Sequence, residues 1–208
     1  ADLRLLYTAF LRRAANRLHA EGLLVSAALA PKTSATQEGQ WYEAHDYAAI
    51  GQIVDFVVIM SYEWGYSGGP PMAVSPLDKV EEVLRYAISE IPPGKILMGQ
   101  NLYGYDWTLP FVQGGPFARA ISPQTSILIA RDNNAQILFD PIAQAPHFNY
   151  FDAQGREHEV WFEDAKSIQA KFDLIKELGL RGISYWKLGL SFPQNWLLID
   201  ENFTVVKR

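Results

Sequence analysis

The chain has 208 residues, a formal net charge of −5 and no cysteine, with 49% hydrophobic and 20% charged residues. Its length permits one domain with a sizeable core, and its composition is ordinary for a globular protein. The acidic balance argues against nucleic acid as a partner. The lack of cysteine excludes disulfides, thiolate nucleophiles and cysteine metal sites. No apolar run reaches the ~18 residues that suggest a membrane span.

The hydrophobic pattern predicts alternating strands and helices in the first half of the chain. The first helix places Leu6, Phe10, Leu11, Ala14 and Leu18 on one face and ends at Gly22. The expected elements are, in order, a helix at 2–21, a strand at 24–29, a loop at 33–51 with a helix around 42–50, a strand at 54–62, a helix at 76–91 and a strand at 96–102.

The next buried strand, at 182–188, comes far later than the roughly 30-residue spacing of βα units allows. Residues 106–162 account for the excess, and we expect them to form a small α+β insertion on the C-terminal face of the sheet. Its expected parts are a helix at 122–133, strand-like segments at 137–139, 147–151 and 158–162, and a hairpin turn at 152–155. A helix at 164–178 then leads into the late strand.

Polar and aromatic side chains follow the ends of these strands. The buried run before Ser61 changes abruptly to hydroxyl, carboxylate and indole groups, as at the carboxyl end of a parallel strand that opens into a site. Aromatic rings can stack on sugar faces while polar groups bond the hydroxyl rim, although such rings can also simply fill the top of a core. The candidate binding residues are Tyr62, Glu63, Trp64, Asn101, Tyr103, Tyr105, Asp106, Trp107 and Trp186.

Other chemistries find less support in the sequence. Glu63 and Asp106 are possible site acids, but nothing pairs them as the two flanking carboxylates of most glycosidases. The four histidines show no metal-ligand spacing. The glycine pair at 68–69 is followed by two prolines, which cannot donate the N–H groups of a phosphate loop. We therefore expect no metal and no cofactor.

The segment Met60-Ser61-Tyr62-Glu63 resembles the Met-x-Tyr-Asp signature of family 18 glycoside hydrolases, the chitinase-like (β/α)8 barrels. Residues 99–105 resemble the seventh strand of that family, and residues 160–164 and 182–189 resemble its last helix and eighth strand. Residues 28–34, 103–110 and 192–198 are similar to the spore-germination branch that lyses cortex fragments.

The resemblance implies an α/β fold of the TIM-barrel type, of which this chain supplies the C-terminal half, strands five to eight. The family's Asp-x-x-Asp-x-Asp-x-Glu motif, which supplies the general acid, does not occur in this sequence. The expected organisation is a half-barrel from 1–105 and 163–208 with the insertion at 106–162. Its exposed edges would be covered by an upstream half or a second copy.

The implied activity is substrate-assisted, retaining hydrolysis of N-acetylglucosamine-containing polymers such as spore-cortex peptidoglycan fragments or chitin. In that scheme Tyr62 orients the acetamido group of the sugar, Trp186 forms the floor of its subsite, and Met60 belongs to the signature. Glu63 stands where most members have Asp, and Asn101 stands where Pro is common. A non-catalytic, lectin-like module on the same barrel is the alternative. The resemblance also implies an exported or spore-associated bacterial protein with a polysaccharide partner.

Overall fold

The computed structural model describes residues 2–206. Their helices and strands are α1 (Asp2–His19), β1 (Ser26–Leu29), α2 (Tyr47–Ile53), β2 (Phe56–Ile59), α3 (Leu77–Glu90), β3 (Ile96–Asn101), β4 (Gly104–Thr108), β5 (Arg119–Ile121), α4 (Pro123–Asp132), β6 (Leu138–Asp140), β7 (Ala145–Phe151), β8 (Glu157–Trp161), α5 (Ala165–Glu177), β9 (Gly182–Trp186) and α6 (Pro193–Asn202). The chain forms two compact units. The first contains the residues up to Ser61, Val80–Gln100 and Leu174–Ser184, and the second contains Tyr62–Lys79, Asn101–Asp173 and the residues from Tyr185 onward.

The first unit is built on a sheet of strand order β1-β2-β3-β9. The pairs β1–β2 and β2–β3 are parallel, with Leu29 opposite Ile59 and Ile59 opposite Met98. Parallel neighbours need crossover connections, and α2 and α3 supply them. The inward face of α3 consists of Val80, Val83, Leu84 and Ala87, at the helical spacing that the sequence predicts. The expected α/β class is therefore confirmed.

The second unit contains an antiparallel sheet of strand order β5-β4-β8-β7-β6. Its central hairpin joins β7 to β8 through a turn in which the Asp152 amide donates to the Arg156 carbonyl at 3.0 Å. Helix α4 begins after Ser122, whose hydroxyl accepts from the Thr125 amide and caps the helix. The core of this sheet is apolar and consists of Ile121, Ala130, Phe148, Val160 and Phe162.

The predicted helices and strands occur in the structure with shifts of a few residues at their ends, whereas β4, β5 and α6 were not expected. Strand β4 alternates aromatic and polar residues from Tyr105 to Thr108, but only two residues separate it from the polar end of β3, and its first four residues are all buried. The sequence pattern therefore indicates a loop beyond a strand end, although residues 104–108 pair with two neighbours, β5 and β8. In the described residues no helix has the length and apolar character needed to cross a membrane.

The apolar face predicted for α1 is mostly exposed. Leu11 is buried, but Leu6 is 64% and Phe10 is 62% exposed. Leu24, expected in the first strand, lies before β1 and is also exposed. The helix periodicity is therefore right, but the face that it defines is largely uncovered. An apolar surface of this kind is typical of a face that packs against another protein segment.

The interior of the second unit holds a polar network centred on Glu163. Its carboxylate accepts from Lys171 Nζ at 2.7 Å and from Ser167 Oγ at 2.6 Å. The Ser75 hydroxyl lies 3.1 Å from Glu163 Oε1 and donates to Asn101 Oδ1 at 2.6 Å. All five side chains are essentially inaccessible to solvent. The network therefore satisfies polar groups that would otherwise be costly to bury.

Breaking the Lys171–Glu163 pair should strongly destabilise the protein. Lys171→Met leaves the Glu163 carboxylate buried without its cation, which we expect to cost about 3–5 kcal/mol in the free energy of unfolding. Denaturant unfolding measures this loss. The double variant Lys171→Met/Glu163→Gln removes both charges and should recover a substantial part of it. If the double variant were as unstable as the single one, the loss would come from packing and not from the orphaned charge.

Candidate active site

The residues that follow β2 form a tight loop that presents Tyr62 and Glu63. The amides of Trp64 and Gly65 donate to the carbonyls of Val74 and Ala73, which holds the loop against the segment before α3. A Cβ atom at Gly65 would lie 2.0 Å from the Met72 carbonyl oxygen, so only glycine fits there. Glu63 has a φ of +72°, a left-handed conformation that is rare for a residue with a side chain. The loop is therefore held in one defined shape.

Two tyrosines bind the carboxylate of Glu63. Tyr103 lies just before β4 and Tyr105 lies within it. Both hydroxyls donate to Glu63 Oε1, that of Tyr105 at 3.0 Å. The two rings meet edge to face with centroids 5.4 Å apart. This geometry fixes both aromatic side chains and satisfies Glu63 Oε1 without an added ligand.

Trp186 is positioned by a main-chain hydrogen bond at the end of β9. Its carbonyl accepts from the Leu102 amide at 2.8 Å, while its indole is 56% exposed. Lys187 and Leu190 follow in the same segment. An anchored backbone that carries an open indole is suited to stacking on a flat apolar ligand face.

These side chains surround one pocket of about 390 Å3, which is within the size range of small-molecule sites. The residues that line it are Tyr62, Glu63, Tyr103, Tyr105, Ala120, Trp186, Lys187 and Leu190. Its lining thus combines aromatic residues, one acidic residue and one basic residue. No group of three histidine, aspartate or glutamate side chains suited to holding a metal occurs in residues 2–206.

The tyrosines of the pocket remain protonated at neutral pH. Burial raises the pKa of Tyr105 to about 12, and the Glu63 charge adds to this shift. Burial and then the hydrogen bond to Glu63 also raise the pKa of Tyr103. Burial, and to a lesser extent the Glu63 charge, raises the pKa of Tyr62. All three hydroxyls therefore keep their hydrogen: those of Tyr103 and Tyr105 are donated to Glu63, and the Tyr62 hydroxyl can donate to a ligand.

The structure thus brings together five of the sequence-predicted residues, Tyr62, Glu63, Tyr103, Tyr105 and Trp186. It places Asn101, Asp106 and Trp107 in the interior, with partners of their own. The Asn101 amide donates to the Tyr103 carbonyl at 2.7 Å, and the Trp107 indole donates to the Gly69 carbonyl at 2.8 Å. Asp106 lies 2.8 Å from His158 Nδ1 and accepts from the Tyr150 hydroxyl at 2.9 Å. These three side chains support the second unit and do not line the pocket.

The remaining two candidates lie beside the signature tyrosine in sequence but outside the pocket lining. Met60 is half-buried, and its amide donates to the Leu29 carbonyl at 3.0 Å. Trp64 is also half-buried, and its amide bonds the Val74 carbonyl. A contact of either residue with a ligand stays a prediction.

Sequence reasoning missed Ala120, Lys187 and Leu190. Ala120 lies on β5, a three-residue strand without a recognisable pattern. Lys187 had a usable signal, since it directly follows Trp186 at a predicted strand end.

Comparison with known proteins identifies the relatives of this chain. The sequence profile described as "Glycosyl hydrolases family 18" matches residues 4–190. The "Cortical fragment-lytic enzyme" of Bacillus subtilis (strain 168) is 69% identical over 202 residues, which cover 97% of this chain and 47% of that protein. The chain therefore spans about half the length of this relative.

Solved structures show the same relationship. The Bacillus megaterium QM B1551 spore cortex-lytic enzyme SleL superimposes with a TM-score of 0.96 at 64% identity, over 99% of this chain and 47% of that one. A chitinase from Chromobacterium violaceum ATCC 12472 superimposes with a TM-score of 0.85 at 28% identity, over 94% of this chain and 60% of that one. The chain belongs to family 18 of the glycosyl hydrolases.

Proposed function

We propose that this chain carries the substrate-orienting part of a glycosidase that acts on N-acetylglucosamine-containing polymers, such as spore-cortex peptidoglycan fragments or chitin-like chains. The observation that carries the proposal is the pocket of Tyr62, Tyr103, Tyr105, Glu63 and Trp186, in a chain 69% identical to a cortical fragment-lytic enzyme. Aromatic faces beside protonated hydroxyls match the apolar faces and polar rim of a sugar ring.

The proposed reaction is substrate-assisted and retains the anomeric configuration, one of the exceptions to the two-carboxylate scheme. The acetamido carbonyl oxygen of the sugar attacks its own anomeric carbon, and the glycosidic oxygen leaves as an acid protonates it. Water then opens the resulting oxazolinium ion. Tyr62 donates its hydroxyl hydrogen to the acetamido group and orients it, and Trp186 stacks under the sugar.

Glu63 has a positioning role in this proposal. Its Oε1 atom holds Tyr103 and Tyr105, so it shapes the pocket wall. The acid that protonates the glycosidic oxygen would come from the Asp-x-x-Asp-x-Asp-x-Glu motif, which is not in this sequence. Asp106 is a poor substitute because His158 and Tyr150 already bind both of its oxygens.

We further propose that the parallel sheet is half of a (β/α)8 barrel, formed by residues 1–105 and 163–208 and carrying 106–162 as an insertion. The parallel strand pairs, the family membership and the exposed apolar side chains of α1 support this arrangement. A barrel removes the open strand edges that a four-stranded sheet leaves. The complementary half would be an upstream segment or a second copy of the chain.

The descriptions of the relatives as cortical fragment-lytic or spore cortex-lytic enzymes support a spore-associated location for this protein. A lectin-like module is the second candidate, favoured by the absence of the acid motif from this sequence. The coding sequence adjoining that of this chain separates the two. An acid motif there supports the glycosidase, and an intact barrel without it supports the lectin.

The purified 208-residue chain should not hydrolyse chitin oligomers or cortex fragments. Protonation of the leaving oxygen needs an acid of raised pKa beside it, and the family's acid is missing. Reducing-end assays on both substrates measure this. If the purified chain did hydrolyse either substrate and Tyr62→Phe abolished that activity, the prediction would be contradicted and Glu63 would be indicated as the acid.

Sedimentation of the same sample provides the control for folding. Because the α1 face is apolar and exposed, we expect the isolated chain to self-associate at micromolar concentration. Addition of the complementary half should replace these assemblies with a defined complex and restore turnover. A stable monomer with cooperative unfolding would overturn the half-barrel.

Tyr62→Phe and Trp186→Ala should act on different kinetic constants of the full-length protein. Tyr62→Phe removes a hydrogen bond that matters most as charge develops, so kcat should fall far more than KM rises. Trp186→Ala removes a stacking surface and should weaken saccharide binding by about 1–3 kcal/mol. Steady-state kinetics and calorimetric titration measure the two effects. An effect of Tyr62→Phe on KM alone would rule out the orienting role.

Glu63→Gln should lower the pKa of Tyr105 below about 12. Burial remains the main cause of the raised pKa in this variant, but the charge that disfavours the tyrosinate is gone. Carbon NMR of the Tyr105 Cζ atom across an alkaline titration measures the shift. Tyr150 is the matched control, because after burial it is Asp106 that raises its pKa. A Tyr105 pKa unchanged by the substitution would exclude electrostatic coupling to Glu63.

A further inference from the structure

The pocket lining has one acidic and one basic residue, and only the acidic one has hydrogen-bond partners within the pocket. Glu63 supplies the one carboxylate, and its Oε1 accepts from the hydroxyls of Tyr103 and Tyr105. Lys187 is the one basic residue of the lining, and it is exposed. No carboxylate of residues 2–206 lies within ion-pairing distance of Lys187 Nζ. A cation without a protein partner on the wall of a binding pocket is a natural contact for an anionic group of a ligand.

The position of Lys187 connects it to the proposed stacking surface. It directly follows Trp186, whose carbonyl is held by the Leu102 amide at 2.8 Å. The main chain beside Lys187 is therefore anchored, while its four-carbon side chain can reach over the adjoining indole. A substituent at the edge of a sugar stacked on Trp186 would lie within range of the ammonium group.

The other polar groups of the wall favour the same kind of ligand. Tyr62, Tyr103 and Tyr105 all have raised pKa values, so they stay neutral and add no negative charge to the wall; Tyr103 and Tyr105 donate to Glu63, and the Tyr62 hydroxyl can donate to a ligand. Ala120 and Leu190 add apolar surface and no charge. No second carboxylate on the wall would repel an anionic substituent.

We propose that Lys187 is a specificity-determining residue that binds a carboxylate carried by the substrate. The pocket then prefers an N-acetylglucosamine polymer that includes carboxylate-bearing sugars, such as those with the lactyl ether of muramic acid, over the neutral homopolymer. This inference rests on the proposed function and specifies the substrate class of the same pocket. Because the ion pair is open to solvent, its contribution is modest and is screened by salt.

The test compares two tetrasaccharides in the full-length protein. One is the neutral N-acetylglucosamine tetramer, and the other alternates N-acetylglucosamine with N-acetylmuramic acid and carries no peptide. Lys187→Met should lower kcat/KM for the acidic tetrasaccharide about fivefold and change that for the neutral one by less than about twofold. Lys187→Arg, which keeps the charge, should stay close to the wild type on both.

Two controls isolate the charge effect. Lys166→Met removes a lysine that packs over Phe139, away from the pocket lining, and should leave the substrate ratio unchanged. Methyl esterification of the acidic tetrasaccharide should abolish its advantage in the wild type and make Lys187→Met harmless. Equal losses on both tetrasaccharides, or no loss on the acidic one, would overturn the proposal.

Calorimetric titration of the same tetrasaccharides keeps this inference separate from the proposed function. If neither is hydrolysed but the acidic one binds more tightly to the wild type than to Lys187→Met, the glycosidase proposal fails and the role of Lys187 stands. If both tetrasaccharides are hydrolysed and Lys187→Met lowers kcat/KM equally for both, the role of Lys187 fails and the glycosidase proposal stands.

Discussion

The pocket depends on the Glu63 carboxylate and the two tyrosine hydroxyls that bind it. Without this acceptor, the Tyr103 and Tyr105 hydroxyls would lose their shared partner and the two rings would lose their fixed orientation. Glu63 itself is exposed, so water could hydrate its carboxylate without the tyrosines, and the interaction serves mainly to orient the two rings. The interaction explains how a glutamate can occupy the position after the signature tyrosine, where its longer side chain crosses to β4.

A buried ion pair stabilises the backbone that carries Tyr103. Glu163 and Lys171 are paired in the interior, and through Ser75 the network extends to Asn101, whose amide holds the Tyr103 carbonyl. A buried pair gives little net stability by itself, because both charges lose their hydration. Its value here is geometric, since each member has one satisfied arrangement and the Tyr103 backbone is fixed with it.

The first unit presents a different physical problem. Its strands are well formed and α3 covers apolar surface, but α1 leaves Leu6 and Phe10 exposed. Relatives with the same fold are about twice as long as this chain. The proposed barrel reconciles the two facts, because closing the sheet would bury apolar surface and pair the open strand edges in one step.

The sequence by itself determined the βα alternation, the signature at Tyr62 and the hairpin at Asp152, because periodicity, strand-end composition and turn residues are local properties. Five of the predicted site residues line the pocket. Only the tertiary structure decided that Asn101, Asp106 and Trp107 lie in the interior, because their partners Ser75, Tyr150, His158 and Gly69 come from segments that are distant in sequence. The same holds for Ala120, which reaches the pocket through packing between segments distant in sequence.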